Sequence, residues 1–210
     1  QARPTYRASA SARFADYFAA VRCVRALAQS GLHPSNCRLL DPLETVFSGV
    51  GDGRHAILVL GFESADHPLQ AWMMRALELV RDHGGEFDPD AVARSMAAEA
   101  ADEHRSGAAG AWREAFLRMP YWRDPAVGLG MIMDTFETAI TWDRFEAFYA
   151  SVKADVSAAI ARATGQPALL SCRFTHLYPD GPAPYFTLAS RGTADGSVAG
   201  ALSAWREIKQ

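Results

Sequence analysis

Residues Tyr6–Phe14 alternate strictly, with Tyr6, Ala8, Ala10, Ala12 and Phe14 on one side and Arg7, Ser9, Ser11 and Arg13 on the other. Only an extended strand with one buried face satisfies a period of two. From Phe14 the period lengthens: Phe14, Phe18, Val21, Val24, Leu27 and Ala28 recur every three or four residues until Gly31 and Pro34 stop them, which predicts a helix. A strand over 36–41, a Gly-rich loop over 48–53 and a β-rich strand over 55–63 follow. Asp66 is the expected N-cap of the next helix, ahead of Pro68, with Leu69, Trp72, Met73, Ala76, Leu79 and Val80 as its stripe.

The same order then returns. An apolar strand is expected over 127–138, and a helix capped by Thr141 carries Trp142, Phe145, Phe148, Val152, Val156 and Ile160. Strands over 168–178 and 185–190 flank a turn at 179–182, and Val198, Leu202, Trp205 and Ile208 align on a last helix. Between the two copies, 88–120 reads as a helical excursion, with its second helix at 112–119. Asn36-Cys-Arg-Leu39 and Ser171-Cys-Arg-Phe174 echo each other just after the first helix of each copy. The chain is therefore read as one α+β domain over 1–210: an antiparallel sheet with helices packed on it, built from duplicated split-βαβ, ferredoxin-like halves. Such a half closes with one more strand. Residues 84–87 can supply it in the first copy, no residues are left for it in the second, and the chain opens on Gln1, so a fragment of a longer polypeptide is expected.

Composition excludes several functions. With 49% apolar and 21% charged residues the chain of 210 can bury a core, and 21 basic against 24 acidic residues leave no footprint for nucleic acid or an anionic membrane. No apolar run is long enough to span a bilayer, and no targeting segment opens the sequence. Cys23, Cys37 and Cys172 form no C-x-x-C pair, and the six histidines show no metal-ligand spacing, so no metal is expected and a cytoplasmic location is the default.

Few residues point to chemistry. Gly49-Val-Gly-Asp-Gly53 lacks the Lys-Ser/Thr tail of a phosphate loop and leads into a strand, so it reads as a connector. Arg38 and Arg173 stand inside short apolar strands, where a charge needs a partner. An internal ion pair and a ligand anion both satisfy that need, as they do for Arg123 in Tyr121-Trp-Arg-Asp124. His176 lies in a strand as either a structural or a pocket histidine, and Tyr185, at the start of a strand, as either a packed aromatic or an aimed phenol.

Ser35-Asn-Cys-Arg-Leu-Leu-Asp41, Tyr121-Trp-Arg-Asp124, Asp134-Thr-Phe-Glu-Thr138 with Trp142-Asp-Arg144, and Ser171-Cys-Arg-Phe-Thr175 with Pro184-Tyr-Phe186 occur in an order that resembles the C-terminal substrate domain of alkylglycerone-phosphate synthases, a branch of the FAD-linked oxidases of the vanillyl-alcohol-oxidase type. The resemblance implies a cap on a flavoenzyme whose FAD is held mainly by an N-terminal domain of the same polypeptide. It implies Tyr185 as the catalytic group and Arg123 and Arg38 as substrate-binding groups; Arg173 and His176 are added from the arginine-rich pocket. The implied reaction exchanges the acyl chain of an acyl-dihydroxyacetone phosphate for a fatty alcohol without net redox change, in ether-lipid synthesis. The family's histidine cluster and FAD domain lie outside these residues, so the isolated chain is expected to be inactive. His176 departs from the family pattern, and its role stays open. The alternatives are a cap for an FAD-dependent 2-hydroxy-acid oxidase, whose arginines would bind a carboxylate, and a stand-alone module binding a small anion. The expected partners are thus the FAD domain and a lipid-like phosphate ester or hydroxy acid; a homodimer stays open.

Overall fold

In the computed structural model, which describes residues 4–97, 121 and 123–209, the N-terminal alternation is strand β1 (Tyr6–Phe14), with Ala8, Ala10, Ala12 and Phe14 buried. Asp16 caps the following helix α1 (Tyr17–Gln29), its Oδ1 accepting from the Phe18 N–H at 2.8 Å. The first half continues with β2 (Asn36–Leu40), α2 (Pro42–Phe47), β3 (Ala56–Ser64), α3 (Gln70–Asp82), β4 (Glu86–Phe87) and α4 (Pro89–Ala97). The second half contains β5 (Met131–Glu137), α5 (Phe145–Thr164), β6 (Leu169–Leu177), β7 (Pro182–Arg191) and α6 (Val198–Ile208).

All seven strands form one antiparallel sheet in the order β4-β1-β3-β2-β6-β7-β5. The first half contributes β4-β1-β3-β2, and β5-β7-β6 repeats its first, third and second strands. The halves join where β2 meets β6, with Leu39 opposite Phe174 and Leu40 opposite Arg173. The two echoed tetrapeptides are therefore the seam of the molecule.

Helices α1, α3, α5 and α6 pack on one face of the sheet. Strand alternation sends Leu39, Leu58, Cys172, Phe174 and Phe186 into that core. Phe145 from α5 meets Phe174 edge-on with ring centroids 4.8 Å apart, a geometry that adds to the burial of both rings.

The structure corrects several boundaries. Helix α2 replaces the loop expected after β2: Asp41 is its N-cap, Pro42 holds N1, and Asp41 Oδ1 accepts from the Glu44 N–H at 2.8 Å. Asp66 does not cap α3, because Ser64 and His67 engage its carboxylate at 2.8 and 2.6 Å; the helix starts at Gln70 without a side-chain cap. Residues 123–128 are helical, so β5 begins at Met131 rather than 127. Thr141 precedes a 3-10 turn, Trp142–Arg144, that leads into α5. β7 starts three residues early, at Pro182, because Pro182 and Pro184 take part through their carbonyls, which accept from the N–H groups of Ile140 and Thr138. Most of the 88–120 excursion, including the helix expected at 112–119, lies outside the described residues.

Candidate active site on the second face of the sheet

Alternation sends Arg38 and Leu40 of β2, Ser171 and Arg173 of β6, and Tyr185 and Thr187 of β7 to the face opposite the four large helices. In register, Leu40 lies opposite Arg173, Arg173 opposite Tyr185, and Tyr185 opposite Glu137 of β5. Helix α2 packs on this face and brings Glu44 under it.

Glu44 is fully buried and organises the centre. Its Oε1 accepts from Arg173 Nη1 at 2.6 Å, and its Oε2 accepts from the Ser171 hydroxyl. Arg173 is 3% exposed, and its guanidinium carbon lies 3.9 Å from the ring centroid of half-buried Tyr185. The pair is stacked as a cation on a π face. Arg38 is half-buried nearby; burial, then the charge of Arg173, draws its pKa below the ordinary guanidinium value. The Glu44 carboxylate is an anion already placed against these two guanidiniums, on the Arg173 side. The buried hydroxyl oxygens of Thr175 and Thr187 have no hydrogen-bond partner among the described residues.

Of the five residues singled out from the sequence, Arg173 and Tyr185 touch, and Arg38 stands beside Arg173. His176 is exposed, beyond a bulge between Phe174 and His176, and lines with Arg38, Thr175, Asn36 and His33 a groove of about 420 Å³. His176 lies inside β6, as expected, and of the two readings left open for it the structure favours a residue on the groove over a packed structural histidine. Arg123 sits on the exposed helical stretch 123–128, and no contact among the described residues links it to the other four. Arg173 meets its need for a partner by the internal route, through Glu44.

Glu44 and Asp41 were not singled out from the sequence. The available signal was Asp41-Pro42-Leu43-Glu44: an N-cap residue, proline at N1 and a carboxylate at N3 mark a helix start. Asp41, 1% exposed, faces the helices rather than the site. Its Oδ2 accepts from the Cys172 N–H at 2.8 Å and from the Tyr149 hydroxyl at 3.1 Å, with Lys153 Nζ at 3.9 Å. Burial raises its pKa despite these favourable contacts. In the motif Arg38-Leu-Leu-Asp41, the arginine thus belongs to the site, and the aspartate holds the helix that carries Glu44.

The sheet is thus covered by the four large helices on one face and carries Arg38, the Glu44-anchored Arg173 and Tyr185 on the other. The chain belongs to the FAD-linked oxidases, C-terminal domain family, which it matches over residues 3–208. The family is one of FAD-linked oxidases, which implies FAD as the cofactor. Among the described residues, the half-buried Arg38 guanidinium beside the buried Arg173–Glu44 pair is the positive charge that the electron-rich edge of a flavin would meet.

Among solved structures, an alkyldihydroxyacetonephosphate synthase is similar over 100% of this chain and 39% of its own, at 18% identity and a TM-score of 0.74. A p-cresol methylhydroxylase with substrate bound matches 98% of this chain and 42% of its own, at 12% identity and TM-score 0.59. A 4-ethylphenol oxidase from Gulosibacter chungangensis, in complex with isoeugenol, matches 100% and 43%, at 9% identity and TM-score 0.57. The chain thus spans about two fifths of these proteins, which establish its fold. No curated protein matches it by sequence. No helix among the described residues is long and apolar enough to cross a membrane.

Proposed function

We propose that this domain is the substrate-side cap of an alkylglycerone-phosphate-synthase-like flavoenzyme, with Tyr185 moving the proton next to the substrate carbonyl and Arg38 and Arg123 holding its phosphate. The observation that carries this reading is the Tyr185 ring resting on a buried, anchored guanidinium beside a second arginine, on the face opposite the four large helices. A phosphate ester suits planar guanidinium forks, which donate two parallel hydrogen bonds. A phenol fixed by stacking is held where a proton must be taken, and positioning of this kind governs general acid–base work. His176 sits on the groove rim, where it can meet the polar head of a substrate entering past Arg38. An FAD bound in the complete enzyme would supply an electrophilic ring. The residues of this chain bind, orient and move the proton.

The test is the visible spectrum of the protein expressed from the complete gene, before and after an acyl-dihydroxyacetone phosphate is added without an electron acceptor. A flavin spectrum that responds to this ligand supports the reading. A flavin spectrum that ignores it, with turnover of a 2-hydroxy acid only when an acceptor is present, replaces the synthase by an oxidase. Arg123→Ala and Arg38→Ala are each expected to lower kcat/KM severely in the same protein, and wild-type values in either remove that residue from the site.

A further inference from the structure

We infer that Glu44 is a positioning residue for Tyr185, acting through Arg173; this rests on the reading of Tyr185 as the catalytic phenol. Three observations converge on one short path. Glu44 is fully buried and spends both carboxylate oxygens on β6, one on Arg173 at 2.6 Å and one on the Ser171 hydroxyl. Arg173 is equally enclosed, and its flat guanidinium lies 3.9 Å from the Tyr185 ring centroid. Tyr185 stands directly opposite Arg173 in the β6–β7 register, so its side chain has a fixed origin and only its ring direction is left to set.

A long arginine side chain has many rotamers, and a stacking surface that moves does not orient the ring above it. The carboxylate of Glu44 removes that freedom from below. Stability alone is a poor reason for the pair, because a buried ion pair is often no better than apolar residues of similar volume, whereas fixing one arrangement is its best-attested use. The element that delivers Glu44 is itself tied down: α2 is capped by Asp41, whose other oxygen is bound to the β6 backbone at Cys172. The path from Asp41 to Tyr185 thus runs from the end of β2 through α2 and β6 to β7.

The experiment is a double-mutant cycle in the complete flavoenzyme. Glu44→Leu keeps side-chain volume and removes both acceptors. It is expected to lower kcat about 10²-fold, the scale on which a misplacement of about 1 Å acts, with KM changed less than about twofold because the variant leaves substrate binding alone. In a Tyr185→Phe background the same change is expected to cost nothing further, since Glu44 has nothing left to position. Additive losses in the two backgrounds overturn the inference and make Glu44 merely structural. If Tyr185→Phe alone turns over like wild type, the reading of Tyr185 fails, and the inference falls with it in a way that additivity cannot imitate. Should Glu44→Leu fail to fold, Ser171→Ala removes a single hydrogen bond from Glu44. A smaller fall in kcat that vanishes beside Tyr185→Phe supports the inference, and an unchanged kcat overturns it.

Discussion

Asp41 and Glu44 are two buried carboxylates at the start of one short helix, and they serve opposite faces of the same sheet. Asp41 looks toward α1 and α5, where its partners are neutral donors: the N–H groups of Glu44 and Cys172 and the Tyr149 hydroxyl, with Lys153 at the margin. Glu44 looks the other way and meets a full positive charge. Donors placed around a buried carboxylate offset its desolvation only in part, and the pKa of Asp41 is accordingly raised. A residue held so tightly by the backbone ties elements together. A residue that instead grips a long cation can set the direction of something beyond itself. Burial and residue type alone do not distinguish a structural carboxylate from a working one; the nature and onward contacts of the partner do.

Four changes break or sharpen that contrast. The largest expected effect belongs to the open face: Tyr185→Phe should lower kcat by about 10² to 10⁴ while leaving the melting temperature of the flavoprotein near wild type. A large drop in melting temperature would mean that the phenol is mainly a packing group. On the helix face the signs exchange. Asp41→Ala removes a helix cap and strands the Cys172 N–H, so it should cost about 2–4 kcal/mol of stability, read by denaturant titration. The fraction still folded should keep its KM, and a raised KM would show that the two faces are coupled.

A third experiment uses acidity. Because burial raises the pKa of Asp41 above its ordinary 3.8, the folded protein binds that proton more tightly than the unfolded chain does. Its contribution to stability is full below the unfolded pKa and is lost as pH rises through the raised folded value. Asp41→Asn cannot ionise. Whatever constant offset it carries, its stability should gain on wild type as pH rises from the ordinary carboxylate value of 3.8 through the raised folded one, and parallel stability curves would show that Asp41 titrates as it does in the unfolded chain. The smallest effect is expected at the rim. Arg13 pairs with Glu86 at 2.8 Å, but both side chains are more than half exposed, so Arg13→Ala should change stability by no more than about 0.5 kcal/mol. A larger loss would mean that the partner domain covers this rim.

The sequence by itself determined the alternation of β1, the stripes of α1 and α5, the repeated order of elements and the two echoed Cys-Arg tetrapeptides, because each is a pattern among near neighbours along the chain. Family resemblance rested on the same local strings. Boundaries slipped where two local signals competed, as at Asp66, whose carboxylate could cap a helix but is engaged by Ser64 and His67. Helix α2 was legible in Asp41-Pro42-Leu43-Glu44 yet was hidden by its brevity, six residues between two strands. Only the tertiary structure decided that the tetrapeptides meet as the seam, that Arg38 and Asp41 of one motif separate to opposite faces, and that Arg173 finds Glu44 129 positions away. The physical reason is range: periodicity is set by backbone geometry within a turn or a pleat. The partner of a buried charge is chosen by whichever side chain the completed sheet brings within about 3 Å.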